Sequence, residues 1–140
     1  MRYLGIDYGT KRVGIALSDE EGRMAFPECI LSNDHTLLPT LVSLIKEKGV
    51  GMIVVGESLD LEGKENPLMT KIRAFAEVLI RETSLPVAYE QEFFTSAAAA
   101  RSPLGEQKAV ARKVSSEKRE HNDASAAALI LQSYLDRIGK

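Results

Sequence analysis

Residues 1–19, MRYLGIDYGTKRVGIALSD, decide how the rest of the chain is read. Leu4, Ile6 and Tyr8 alternate with Gly5, Asp7 and Gly9, the period of two expected of a strand. Val13, Ile15 and Leu17 alternate with Gly14, Ala16 and Ser18 in the same way. The intervening Gly9-Thr10-Lys11-Arg12 is short enough to make the two a hairpin. Asp7 is the anomaly, a carboxylate inside an apolar strand. If the face holding Gly5 and Asp7 coincides with the face holding Gly14, Ala16 and Ser18, the carboxylate sits among small residues with open space above it. Glycine weakens a strand, and often marks close approach by a ligand or another backbone.

Outward from this hairpin, a Glu20-Glu21-Gly22 turn leads to a third strand near 24–30, where Pro27 predicts a bulge or an edge position. Asp34 or Thr36 can cap a helix bearing Leu37, Leu38, Leu41, Leu44 and Ile45, and Gly49 ends it. Residues 50–56, VGMIVVG, read as a strand covered on both faces. After a polar loop, Asn66-Pro67 starts a helix with Leu68, Ile72, Phe75, Ala76, Leu79 and Ile80 at helical spacing. Residues 86–93 form the last strand. Thr95 can cap an alanine-rich turn over 96–101, a basic stretch follows, and a final helix starts at about Asp123. The order β-β-β-α-β-α-β-α predicts an α/β sheet of mixed direction, three antiparallel strands and then parallel ones, with helices on both faces. Chemistry in such sheets collects beyond the carboxyl ends of the central strands.

At 140 residues the chain is read as a single domain over 1–140, with 44% apolar and 27% charged residues. One cysteine, Cys29, excludes an intrachain disulfide and fits a reducing compartment. No apolar run is long enough to span a membrane, and no signal peptide is expected, so the expected location is the cytoplasm. Net charge is −2, but residues 101–120 hold six Lys/Arg against three Glu, whereas 1–100 hold ten basic and fifteen acidic side chains. That basic segment is either a solvated helix face or a phosphate footprint.

The layout can bring Asp7, Glu92 and Asp123 to one place. Two charges about 4 Å apart repel by roughly 4 kcal/mol at an effective dielectric near 20. Three such pairs rival a domain's whole stability of about 5–15 kcal/mol. Protons or cations must neutralise such a cluster, and oxygen-only ligands suit Mg²⁺ or Mn²⁺. Each acid also has a plainer reading. Asp7 can brace the turn, Glu92 can be a solvated strand end, and Asp123 can simply favour a helix N-terminus. His35 and His121 read as surface residues, though His121 is close enough to Asp123 for proton transfer or phosphate contact. No Cys/His zinc spacing, Walker loop or GxSxG elbow is present.

Three stretches carry a family resemblance: GIDYGTKRVGIALSD (5–19), VVGESLDLEGKENP (54–67) and HNDASAAALILQSYL (121–135). They resemble the YqgF family of Holliday-junction-resolvase-like "putative pre-16S rRNA nucleases", over nearly the entire chain and in the family's order. The resemblance implies a ribonuclease-H-like fold, metal-dependent endonuclease activity, and processing of the 5′ end of the small-subunit ribosomal RNA precursor. Asp7 matches the family's first-strand acid and Asp123 the acid of its last helix. Glu92 takes the place of the family's last-strand Glu, but Gln91 replaces an Asp and Phe93 an Arg. After the middle strand the family usually has an apolar residue and Pro, then Asn-x-Asp-Gly. This chain has Gly56-Glu57-Ser58-Leu59-Asp60-Leu61-Glu62-Gly63 there, with Glu57 an added ligand or a surface charge.

The resulting expectation is an endonuclease on structured RNA in which Asp7, Glu92 and Asp123 hold Mg²⁺ or Mn²⁺. Thr10, Lys11 and Arg12 steady the scissile strand, Arg112 and Lys113 of the basic segment hold flanking phosphates, and His121 is a further contact. The expected partner is precursor rRNA of the small ribosomal subunit. The protein is expected to act as a monomer or weak homodimer, away from membranes. Branched DNA, cut by a symmetric dimer, is the alternative substrate, and a non-catalytic RNA-binding assembly factor is the alternative of another class. Sugar-kinase and actin-like ATPases share the Gly-x-Asp-x-Gly-Thr opening but need a second domain of similar size.

Overall fold

The computed structural model of the chain describes residues 1–58, 67–92 and 119–139. Eight elements follow one another: β1 (Arg2–Tyr8), β2 (Arg12–Ser18), β3 (Ala25–Ser32), α1 (Leu37–Lys48), β4 (Val50–Ser58), α2 (Leu68–Thr83), β5 (Val87–Glu92) and α3 (Arg119–Ile138). The strands form one sheet in the order β3-β2-β1-β4-β5. β1, β2 and β3 are antiparallel, whereas β1, β4 and β5 are parallel. This is the mixed sheet expected from the sequence. Pro27 lies on the edge strand β3, beside a register shift between Ile15–Cys29 and Ala16–Pro27, so both expectations for it hold.

Strand alternation sorts the core into two layers. Leu4, Ile6, Val13, Ile15, Ile53 and Val55 pack beneath α1 and α2 with Leu37, Leu41, Ile45, Met69, Ile72 and Leu79. The opposite face sets Ala16 and Val54 against Ala127, Ile130, Leu131 and Leu135 of α3. Small residues dominate the strand side of that second layer because α3 comes very close to the sheet. A Cβ added to Gly5 would lie 2.8 Å from the Leu131 Cβ and 3.0 Å from the Ala127 carbonyl oxygen. The open space expected above the first strand is therefore filled at Gly5 by another backbone.

Element ends mostly follow their local signals. Gly49 closes α1 at φ 65°. The Thr36 side chain makes no cap bond; Asp34 Oδ1 instead accepts from the Thr36 N–H at 2.9 Å and from its hydroxyl. Those bonds hold the Asp34 carboxyl below the usual carboxylate range. α2 ends at Ser84, whose φ of 58° nothing in the sequence marks. α3 begins four residues before the expected Asp123. Arg119, Glu120, His121 and Asn122 supply no apolar stripe from which a helix could be read. The alanine-rich turn expected over 96–101 lies outside the described residues. Among the described residues, no helix is long and apolar enough to cross a membrane.

Candidate active site at the carboxyl edge of the sheet

β1, β4 and β5 run parallel as neighbours, so their carboxyl ends lie along one edge. Gly5 pairs with Ala16 and Asp7 with Gly14, so the small-residue faces of the hairpin coincide as expected. Gly5 also pairs with Val54, which packs under α3. Half-buried Asp7 thus belongs to the α3 face, with a glycine rather than a side chain across the β1–β2 pair. Register then carries this face across the sheet. Val54 pairs with Ala88, Gly56 with Glu90 and Ser58 with Glu92. Position 92 therefore shares the face and the edge of Asp7. With strands about 4.8 Å apart and about 3.3 Å per residue, the two backbone positions are roughly 12 Å apart across β4.

α3 adds the third position. Its Tyr134 packs on Tyr3 with ring centroids 6.1 Å apart, while Leu131 and Ala127 lie over Gly5. Moving toward the helix N-terminus thus means moving along β1 toward Asp7. Ala124 is still buried, and Asp123 lies one turn before Ala127 on the same side of the helix. Backbone placement therefore brings positions 7, 92 and 123 to one face at one edge. His121 falls in the first turn of α3, two positions before Asp123. Arg112 and Lys113 lie outside the described residues.

Among the described side chains, no three of His, Cys, Asp or Glu converge on a point. Of the expected trio, Asp7 alone has a described side chain. The donor set itself fits a hard cation, being carboxylate oxygen throughout, with the bare Gly14 beside Asp7 to leave room.

Thr10, Lys11 and Arg12 are exposed on the turn just beyond Asp7. The turn is tight, since a Cβ on Gly9 would meet the Arg12 carbonyl oxygen at 2.5 Å. Asn33, which sequence reasoning passed over, closes it from just past the end of β3: its Nδ2 donates to the Gly9 carbonyl at 2.7 Å and its N–H to the Lys11 carbonyl at 2.9 Å. Asn33→Ala removes one of these bonds, an expected loss of about 0.5–1.5 kcal/mol. It should also loosen the turn that presents Lys11 and Arg12. Denaturant melts and RNA titrations check this; unchanged RNA affinity would show that the turn does not grip phosphate.

Glu57 and Gln91 pair with each other, out of phase with Gly56 and Ser58. They therefore belong to the α2 face, opposite to Asp7, and the surface-charge reading of Glu57 is the one favoured. The Gln91 exchange likewise takes no carboxylate from the Asp7 face. A cleft of about 580 Å³ lies at the β5 side, lined by Glu57, Tyr89, Glu90, Gln91, Ser133 and Arg137. Asp7 does not line it, so it is not the acid site. Glu90 was the second residue missed; its period-two relation to Glu92 was the available signal.

A mixed five-stranded sheet of this order, with helices on both faces, defines a resolvase-like, ribonuclease-H-like α/β fold. The chain belongs to the RuvX family, described as Holliday junction resolvase, which matches residues 1–137. A protein of Anaeromyxobacter sp. named "Putative pre-16S rRNA nuclease" is 41% identical over 138 residues, covering 97% of each chain. One of the same name from Moorella thermoacetica is 37% identical over 142 residues, covering 100% of this chain and 98% of its own. The fold is similar to Thermus thermophilus RuvC in complex with a Holliday junction substrate, with TM-score 0.56 and 15% identity over 99% of this chain and 96% of the other. Fowlpox virus resolvase in its Holliday junction complex has TM-score 0.59 and 14% identity, covering 100% of both chains.

Proposed function

We propose that the protein is a divalent-metal-dependent endonuclease that hydrolyses phosphodiester bonds of structured RNA, processing the 5′ end of pre-16S rRNA in the cytoplasm. The observation that supports this reading most is the register that runs positions 7 and 92 along one face toward one carboxyl edge of the sheet, beneath the helix that bears position 123. Asp7, Glu92 and Asp123 would hold Mg²⁺ or Mn²⁺. When bound, such ions acidify the attacking water and stabilise the departing oxygen. Lys11 and Arg12 hold phosphates next to the scissile bond, with Thr10 as a further hydrogen-bond donor. These contacts position the strand without reading its sequence. Arg112, Lys113 and His121 extend the grip along the flanking backbone. The relatives' names supply the rRNA assignment.

Cleavage of four-way DNA junctions is the second reading, favoured by the family's description and by the junction-bound proteins of similar fold. The two separate when purified protein meets pre-16S rRNA and a four-way junction side by side, with Mn²⁺ and with chelator. The expected result is metal-dependent cleavage of the RNA and an intact junction. Symmetric junction cuts with intact RNA would establish the second reading, and no cleavage of either with Mn²⁺ present would leave only a binding role. Phosphate contacts by Lys11 and Arg12 alone should weaken binding to single-stranded RNA roughly sevenfold between about 50 and 200 mM salt. A flat salt response would remove the turn from the binding surface.

A further inference from the structure

Glu90 is a buried carboxylate that the proposed chemistry leaves unused. It is 8% exposed and occupies the α3 face of β5, one pleat before Glu92. It accepts a hydrogen bond from Ser133 Oγ at 2.9 Å, and bonds from both Nε (at 3.2 Å) and Nη2 of Arg137. The Arg137 guanidinium also lies over the Tyr134 ring, 5.3 Å from its centroid, and Tyr134 packs on Tyr3.

Stability is a weak reason for such a pair. Apolar residues of similar volume often serve a buried ion pair's place equally well. The Arg137 side chain is also 59% exposed, so solvent screens much of the attraction. What the fork-shaped contact does provide is orientation. It ties the strand that bears Glu92 to the helix that bears Asp123. α3 is a rod of 20 residues, about 30 Å long. Near its middle, Ala127 and Leu131 rest on Gly5 with no room for even a methyl group. A rod supported at its middle swings its two ends in opposite senses, so play at Arg137 becomes play at Asp123.

We infer that Glu90 is a positioning residue for the carboxylate site. By holding Ser133 and Arg137 it fixes the tilt of α3, and through that tilt the separation of Asp123 from Asp7 and Glu92. This rests on the metal-binding reading proposed above.

Calorimetric titration of the full chain with Mn²⁺ alone, in parallel with thermal melts, tests it. Glu90→Gln and Arg137→Gln should each bind Mn²⁺ about tenfold more weakly, the usual size of an outer-shell effect. The double variant should be no weaker than either single one, because the two residues act as a unit. A merely structural role would lower the melting temperature and leave the affinity alone. Wild-type affinity in Glu90→Gln, while Asp7→Asn loses the ion, would overturn the positioning role and leave the metal site standing. If Glu90→Gln does not fold, Arg137→Gln decides at the exposed end of the pair, and wild-type affinity there overturns the role equally. A wild-type chain that takes up no Mn²⁺ would overturn both readings.

Discussion

Asp7→Asn should lower phosphodiester cleavage by about a thousandfold or more, equivalent to ~4 kcal/mol of barrier, while RNA affinity stays within about twofold. The exchange is isosteric and leaves the backbone pairing of position 7 with Gly14 untouched. It removes one of the negative charges that would neutralise a cation at the proposed acid site. RNA affinity is expected to survive because Lys11 and Arg12 lie beyond Asp7 on the exposed turn. A second measurement separates catalysis from folding. Clustered acids repel when no cation is bound, so the melting temperature in chelator should stay level or rise in the variant. Full cleavage by Asp7→Asn would refute the assignment. Loss of cleavage together with a lower melting temperature in chelator would make Asp7 a brace for the hairpin.

The hairpin was legible in advance because period-two alternation and a four-residue turn leave few other arrangements. The mixed direction of the sheet followed from the same pattern, but its order did not: β4, the apolar run after α1, pairs with β1, and the strand after α2 pairs with β4. With direction known, Asp7 and Glu92 had to reach the same edge, and the coincident face could be stated as a condition that the register then met. What the sequence could not say is what occupies the space above a glycine. Gly5 is equally consistent with a ligand and with a helix, and the contact is made by residues more than 120 positions away. Asn33 was hidden for a related reason. In a Ser-Asn-Asp run it looks like any loop residue, and its bonds to Gly9 and Lys11 exist only once β3 lies beside β2. Glu90 carried a partial signal, an acid in phase with Glu92, but its partners lie 43 and 47 residues away. Local rules describe elements well; contacts between elements that are distant in sequence need the fold.

Gly5→Ala is expected to be strongly damaging, and it links the packing of α3 to the chemistry. The added Cβ would stand 2.8 Å from the Leu131 Cβ, closer than real Cβ contacts come, and 3.0 Å from the Ala127 carbonyl oxygen, tighter than most. Neither obstacle can rotate away, since one is a backbone atom and the other is fixed to the backbone. The helix must therefore lift, at the usual overpacking cost of about 1–3 kcal/mol. For a chain of this size that corresponds to a melting temperature roughly 4–10 °C lower. Lifting α3 also carries Asp123 away from Asp7 and slackens the Glu90–Arg137 tie, so Mn²⁺ affinity should fall with stability. The geometry forbids an easy rescue. Leu131→Ala in the same chain trims the side chain but keeps its Cβ, so it should restore neither property and should add the cost of a cavity where a fully buried leucine stood. Thermal melts and Mn²⁺ titrations of the single and double variants decide the matter. Gly5→Ala that melts with the wild type and binds Mn²⁺ equally well would mean that α3 does not rest on β1 as closely as its contacts require, and the gathering of positions 7, 92 and 123 beneath it would lose its foundation.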